Sequence, residues 1–484
     1  MKRRTVYLIL GAIFVVGSIL RAIAVGIEPP HHPDEYFQYL EPAWLRLTGS
    51  GVETWEWRDG VRSWFLPGYH GAWMAILMRL GVRNGRTIIT ILHAHWALVS
   101  LVLVWAGWRG GALLARWHER KAVPIPVDES SPPAGWQGGL VGAGLCASFP
   151  LLVRFSVHTF SELASILCLV CALVLAGELA ERGEVRRGKL VGLGLLLGLG
   201  VSLRIQHATV LLFAALWLLW TRRFRILLWT CLVALLPVML LGLLDRLTWG
   251  EFFVSYIRYV KFNLIEGGAA GFGTSPSTWY WEQFLHRLPI GLFVLGGLCL
   301  FGLRANWPFV GAAVGLALLL STQGHKEERF VMLFWPLVLI AAAGTVGSWL
   351  RAAQRWWTWS RRSIWAGAAA AVLLVTIDGA VHCGGNDYVG LSAGRWEAHA
   401  WVSRQPDITG LLYDHPFNVP GYMGFSHSFP QVEARPPLLA NPVFSHILVP
   451  SDSGIIDQAK RVGFEQVYSA GDFVVLRRSW PKHD

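Results

Sequence analysis

A chain of 484 residues with a mean hydropathy of +0.43 and only 15% charged residues is too apolar to be one soluble globular domain. Its formal charge of +11 is not a nucleic-acid signature, because Lys and Arg fall between apolar runs of membrane length, where they orient helices. Five of the six cysteines (Cys146, Cys168, Cys171, Cys231, Cys299) lie inside apolar runs and Cys383 stands alone, which argues for packing roles and against a disulfide framework.

The chain opens on MKRRTVYLILGAIF, which starts like a secretory signal. Its apolar run is too long for one and no small-residue cleavage site follows, so Val6 to Ile27 reads as a retained first span. Lys2, Arg3 and Arg4 place the N-terminus in the cytoplasm and HHPDEYFQY (31–39) outside. The stretch 63–80 is short, amphipathic and interrupted by Pro67 and Gly68, and is expected to lie flat on the outer face. A second span (87–108) leads to a cytoplasmic loop carrying Arg109, Arg116, Arg120 and Lys121 and a proline-rich linker (122–135).

Alternation then continues. Spans cover 138–155 and 163–180, with SVHTFSE (156–162) outside and ERGEVRRGK (181–189) inside. A fifth span ends near Arg204 outside, a sixth at TRRFR (221–225) inside, and a seventh covers 226–244. The polar stretch 245–287 is outside, the eighth span ends at Arg304 inside, and the ninth at GHKEERF (324–330) outside. The tenth ends among Arg351 to Arg362 inside, and the eleventh covers 364–381. The reading is an all-α polytopic membrane protein of about 11 spans, whose polar loops share the face away from the basic ones although only Lys and Arg were counted. The 26 tryptophans suit interfacial belts.

The tail changes character. GLLYD (410–414), HILVP (446–450) and FVVLRR (473–478) have strand patterns, and SDSGIIDQAKRVG between the last two has helical spacing. Residues 1–381, with an outer loop at 28–86, form the expected transmembrane domain, and 382–484 a small extracytoplasmic α/β domain.

Four polar constellations stand out. In HPDE, Asp34 and Glu35 follow Pro33 at the membrane edge, where a carboxylate suits a general base or a metal ligand; capping of the following helix is the structural alternative. Tyr36 to Tyr39 are expected to anchor this loop at the membrane surface. HKEERF packs cations on the outer face, against the positive-inside tendency. If it begins a helix, His325 and Arg329 share a face at i,i+4, and with Lys326 and the helix amides they form an anion site for a phosphate. The alternative is a self-neutralising cluster in which Glu327 and Glu328 pair Lys326 and Arg329.

TWEWRDGVRSWFLPGYHG (54–71) sets Trp55, Trp57 and Trp64 beside Glu56, Arg58 and Arg62, a sugar platform or an interfacial anchor, with anchoring the reading for Trp64. DRLTWGEFFVSYIRYVKFN (245–263) puts Asp245 and Arg246 where the seventh span leaves the membrane, and a glycine-rich turn follows. No nucleotide loop and no metal-type Cys/His spacing occur; His93 and His95 read as structural rings in an apolar run. An outer-face acid pair, an anion cluster and no nucleotide site fit a transferase using a lipid-phosphate donor.

HPDEYFQ (32–38), TWEW with Arg62, Ser63 and Pro67, DRLTWGE with Phe262 and Asn263, and HKEERF (325–330) occur in the order found in glycosyltransferase family 22. Over roughly residues 5–350 the chain resembles this family of GPI-anchor and N-glycan mannosyltransferases and their bacterial relatives. SVHTFSE and LRIQH (203–207) look like its Thr-rich and Arg-Pro-Thr segments, with Gln206 and His207 replacing the usual Pro and Thr. The resemblance implies a GT-C fold in a bacterial cytoplasmic membrane with an outward-facing site. It implies an inverting transfer of mannose from a polyprenyl-phosphate donor to a hydroxyl of a glycolipid or glycan.

In that scheme Asp34 is the base with Glu35 beside it, and His325, Lys326 and Arg329 hold the donor phosphate. The candidate substrate contacts are His32, Glu56, Trp57, Arg62, Asp245, Arg246, Asn263 and Glu327. The expected partners are the lipid donor, the acceptor and membrane lipid, with no nucleic acid, cofactor or required metal. Another lipid-phosphate sugar on the same scaffold, or a lipid-sugar transporter, remain the alternatives. A transporter calls for broken, paired helices and charges inside its spans, and here the charges crowd at one face.

Overall fold

The computed structural model describes residues 2–28, 32–118, 132–182, 186–356, 361–383, 386–415, 419–425 and 429–479. His31 and most of the 122–135 linker lie outside them. The chain divides into two compact units. Unit 1 is Met1–Ala24 with Trp96–Cys383; unit 2 is Val25–His95 with Gly384–Asp484.

Among the described residues seven helices are long and apolar enough to cross a membrane: Arg3–Ile27, Gly85–His118, Ser161–Glu181, Phe224–Trp249, Leu303–Ser321, Glu328–Ala353 and Trp365–His382. The pair Trp279–Arg287 and Gly291–Phe301, bent by 109°, makes an eighth if counted as one span. The sequence suggests about 11, and each expected segment is indeed helical. The shortfall is length. Pro150 splits one segment into Trp136–Ser148 and Pro150–Phe155. Arg187–Leu203 and Ile205–Trp220 are 17 residues or fewer, about 25 Å of helix against a hydrocarbon core of about 30 Å.

Unit 1 packs through small residues. Gly107 and Gly111 on Val102–His118 face Gly138 and Gly142 on Trp136–Ser148, each pair one turn apart. A Cβ on Gly111 would come within 2.2 Å of the Gly138 carbonyl oxygen, and one on Gly142 within 2.3 Å of the Gly107 oxygen. In lipid, where apolar burial does not drive helices together, such close backbone contact supplies the packing. Arg21, buried in the first span, donates to Ser100 Oγ at 2.7 Å and to the carbonyls of Gly17, Ala147 and Cys146. Those acceptors let a guanidinium sit at membrane depth and tie three helices together. The bend at 288–290 is held by Asp378, whose Oδ2 accepts from Ile290 N at 3.1 Å and Gly291 N at 2.7 Å.

In unit 2, helical backbone begins at Pro33, passes through a π-helical stretch Glu35–Leu40 and continues as Glu41–Thr48. Tyr36, Phe37 and Tyr39 are buried, and Tyr36 and Phe37 pack with Trp44, Met74, Leu92 and Met423. They are therefore core residues and not the surface anchors their amphipathic character suggests. Phe65–Arg79 is helical as expected. Glu41 is fully buried and accepts from Val52 N, Tyr422 N and Met423 N, fastening the tail to this helix. Burial pushes its carboxyl up to about 7, with the three amides pulling the other way.

The tail carries a five-stranded mixed sheet, β1 (Leu411–Tyr413), β2 (Gln431–Glu433), β3 (His446–Pro450), β4 (Phe464–Ala470) and β5 (Phe473–Arg478), in the order β2-β1-β3-β5-β4. β1 runs parallel to β2 and β3, and β5 antiparallel to β3 and β4. The expected helix appears as Ile455–Arg461. Of the cysteines, the five with described side chains are free.

Candidate active site

The acidic constellation belongs to unit 2 and the cationic one to unit 1.

Asp34 takes helical dihedrals and makes no side-chain cap hydrogen bond, so the capping alternative is not realised. Its backbone N–H donates to His32 Nδ1 at 3.1 Å, and the carboxylate stays 21% exposed, 3.6 Å from that ring nitrogen. Glu35 is completely buried, with Oε1 2.9 Å from His93 Nε2. The two neighbouring carboxylates thus have different surroundings: one is held inside by an imidazole and one is accessible. The π-helical turn immediately after Asp34 is a distortion frequent at functional sites. His70, also fully buried, is pulled down to about 3 by desolvation despite the nearby Glu35 charge, so its ring is neutral at physiological pH. Glu35 and His93 are ligand-type groups engaged with one another.

Glu56 Oε1 accepts from Arg62 at 3.0 and 2.5 Å and from Gln38 Nε2 at 3.3 Å, tying the loop to the Asp34 helix. Trp57 is buried, and its indole N–H donates to Phe37 O at 2.9 Å. Its neighbour Trp64 lies 4.6 Å away and carries Arg46 over its face at 4.8 Å. In this conformation Trp57 is a packing pin under the Asp34 helix.

In unit 1 the HKEERF stretch does not begin a helix as expected. Glu327 is extended, Glu328–Val331 is a 3₁₀ turn, and the helix starts only at Phe334. His325 and Arg329 therefore do not share a helical face; they meet at Glu327. His325 Nδ1 faces the Gly273 carbonyl at 3.1 Å and Nε2 faces Glu327 Oε1 at 3.0 Å. Both acceptors lack a proton, so both ring nitrogens donate and the ring is an imidazolium. The Glu327 carboxylate accordingly raises its pKa above the ordinary histidine value. Arg329 grips Glu327 at 2.5 and 3.0 Å, lies 3.7 Å from Glu162, and sits 5.0 Å from the Phe160 ring. Arg204 also binds Glu162. Glu328 pairs with Arg287 at 2.9 Å and not with Lys326.

Lys326 differs from its neighbours. It is buried, and its Nζ donates to Ser275 O at 2.8 Å and to Gln323 O, leaving a third N–H. Among the described residues no carboxylate lies within 4 Å of it. Four cations (Arg204, His325, Lys326, Arg329) against two carboxylates (Glu162, Glu327) leave a net charge of about +2, suited to an anion.

The structure does not bring every candidate here. Asp245 is buried and accepts from Ser255 N at 2.9 Å and Ser255 Oγ at 2.6 Å; Arg246 caps its own helix at Gly250 O; Asn263 bonds Tyr259 O at 2.9 Å. All three have local structural work. Conversely Glu162 and Arg204 join the cluster from segments whose sequence resemblance is loose. Their signal was ionisable side chains at the ends of apolar runs, which are seldom idle at membrane depth.

Residues 10–386 match the Alg9-like mannosyltransferase family. GPI mannosyltransferase 3 of Yarrowia lipolytica is 24% identical over 419 residues, covering 85% of this chain and 74% of that protein. Mannosyltransferase APTG1 of Arabidopsis thaliana is 24% identical over 354 residues, 70% of this chain; the match spans 57% of that relative's length. The fold matches the crystal structure of ArnT from Cupriavidus metallidurans bound to undecaprenyl phosphate, with a TM-score of 0.61, 13% identity and coverage of 96% and 97% of the two chains.

Proposed function

The chain belongs to the Alg9-like mannosyltransferase family, a multi-pass membrane glycosyltransferase on the GT-C fold, and on that premise we propose that it transfers mannose from a polyprenyl-phosphate donor to a hydroxyl of a glycolipid or glycan, with inversion. The family match over residues 10–386 carries this reading. The geometry that supports it is the buried, net-cationic cluster around Lys326.

In the proposed reaction Asp34 accepts the acceptor hydroxyl proton as the oxygen attacks the anomeric carbon. The bond from that carbon to the phosphate oxygen breaks, and the polyprenyl phosphate leaves with one more negative charge. Lys326, with its spare N–H, and the His325 imidazolium stabilise that charge, while Arg329 is held in place by Glu327 and Glu162. Cations fixed before the reaction lower the barrier without reorganising during it. Glu35, buried on His93, positions the helical turn that carries Asp34. Counting positive charges places this chemistry on the extracytoplasmic face.

Purified protein incubated with labelled polyprenyl-phosphate mannose and a lipid extract should yield a mannosylated lipid by mass spectrometry, and Asp34→Asn should lower the rate by about 10²–10⁴-fold with donor binding intact. Full activity in Asp34→Asn would remove the base assignment. Transfer from a different polyprenyl-phosphate sugar alone would keep the mechanism and change the substrate.

A further inference from the structure

A cavity lies in unit 1, at the end of Ser161–Arg182 opposite Glu162 and the Lys326 cluster. It encloses about 620 Å³ and is lined by Trp117, His118, Glu181, Trp220, Arg223 and Arg304 with small neighbours. Four chain segments meet there: the ends of Val102–His118, Ser161–Arg182 and Thr209–Trp220, and the start of Leu303–Ser321. Glu162 and Glu181 stand at opposite ends of Ser161–Arg182, about 28 Å apart at 1.5 Å per residue. That is close to the thickness of a hydrocarbon core, so the cavity sits at the other membrane boundary. Positive-charge counting assigns all four segments to the cytoplasmic side.

The charges around it are unevenly satisfied. Glu181 is engaged by Arg116 through contacts of 3.0, 3.3 and 2.9 Å, so its charge is spoken for. His118 is also committed. Asn306 Nδ2 donates to Ala341 O and Thr345 Oγ1, so its Oδ1 is the acceptor that takes the His118 Nε2 proton at 3.3 Å. Arg223 and Arg304 have no carboxylate within 4 Å among the described residues. Arg223 Nε is shielded from solvent with no acceptor in reach, a donor that calls for a partner. The turn presenting it is unusual: Arg222 adopts φ 58°, left-handed backbone normally left to glycine, and Arg223 N closes the turn onto Leu218 O at 2.7 Å. The rim is aromatic and apolar, with Trp220 and Phe224 each 60% exposed.

We propose that this cavity binds the phosphate head group of an anionic membrane lipid. Arg223 and Arg304 contact the phosphate, and Trp117 and Trp220 wall the glycerol and upper chain region. Guanidinium forks suit phosphate oxygens, and tryptophan is at home where head groups meet acyl chains. A soluble phosphate ester shares the charge chemistry, but the exposed aromatic rim at membrane level favours the lipid.

The test uses the full chain, purified and delipidated in detergent, with labelled phosphatidylglycerol as the probe. The wild type should retain it. The double variant Arg223→Gln/Arg304→Gln should bind about tenfold more weakly or worse. Trp220→Ala, which leaves both charges, should weaken retention as well and serves if the double variant does not fold. Arg225→Gln, an exposed charge outside the lining, should stay within about twofold. Phosphatidylcholine and glycerol 3-phosphate should not compete at equal concentration. Wild-type retention in the double variant and in Trp220→Ala would overturn the proposal. So would an equal loss in Arg225→Gln, which would mean diffuse charge attraction. Competition by glycerol 3-phosphate would point to a soluble ester, and competition by phosphatidylcholine would remove the anionic requirement; either overturns it.

Discussion

Arg204 and Arg329, at one end of the helix Ser161–Arg182, are buried against Glu162 and Glu327; Arg223 and Arg304, at its other end, border a cavity with no carboxylate of their own among the described residues. The contrast follows from solvation. A guanidinium inside protein needs a counter-charge or, as at Arg21, a full set of oxygen acceptors, because its desolvation is costly. One at an open membrane boundary keeps part of its hydration and can wait for a ligand. Lys326 breaks the pattern at the first end: it is buried, satisfied by carbonyls alone, and keeps its charge uncompensated beside paired neighbours. At these two ends the cations without a counter-ion are the ones proposed to meet an anion, and the paired ones hold the local structure in shape.

The sharpest way to break this contrast is to remove the counter-charge at the buried end. Glu162→Gln leaves Arg204 facing a neutral amide and Arg329 with Glu327, and should destabilise the protein by about 3–5 kcal/mol, seen as a lower unfolding midpoint in detergent. A midpoint unchanged from wild type would show that Glu162 is not the keystone. Next, Lys326→Met should cut transfer by about 10²–10³-fold, roughly 2.7–4 kcal/mol of barrier, in protein that stays folded. If Lys326→Met lost stability in step with activity, Lys326 would belong with the architectural cations.

The His325–Glu327 pair gives a smaller, pH-dependent effect. Its folded pKa is raised above the ordinary 6.5, so its stabilisation is complete below 6.5 and is lost as pH rises through the raised value. The stability gap between wild type and His325→Gln should be about 0.5–1 kcal/mol at pH 5.5 and shrink toward pH 8.5. A gap that does not move with pH would mean the ring is neutral. Smallest of all, Arg222→Gly should shift stability by no more than about 1 kcal/mol, because relief of left-handed strain offsets the added chain freedom. Lipid retention should not change; a loss would bring the Arg222 side chain into the cavity's ligand set.

Much of the fold was legible because membrane spans advertise themselves. Twenty apolar residues between basic loops are hard to mistake, and each expected span falls on a helix. The length shortfall was not legible: Pro150 and the brief Arg187–Leu203 and Ile205–Trp220 helices are apolar without being long. The sheet shows the same limit. β1, β3 and β5, read from sequence, are its three central strands; β2 and β4, which were missed, are its edges. An edge strand half-open to solvent carries a weak hydrophobic signal, as the mostly exposed residues of β4 show.

The sequence by itself determined the class of molecule and singled out two polar motifs, because hydropathy and charge patterns are local properties of the chain. Only the tertiary structure decided which charges are partnered. Glu162, far upstream of HKEERF in the chain, binds Arg204 and stands as a second carboxylate beside Arg329; Asp34 stays accessible while the adjacent Glu35 is buried on His93; and Tyr36 turns into core. Nothing in one sequence encodes these choices locally, because each depends on what lies across the fold, and the energy of a buried charge is set by that partner more than by its own neighbours in the chain.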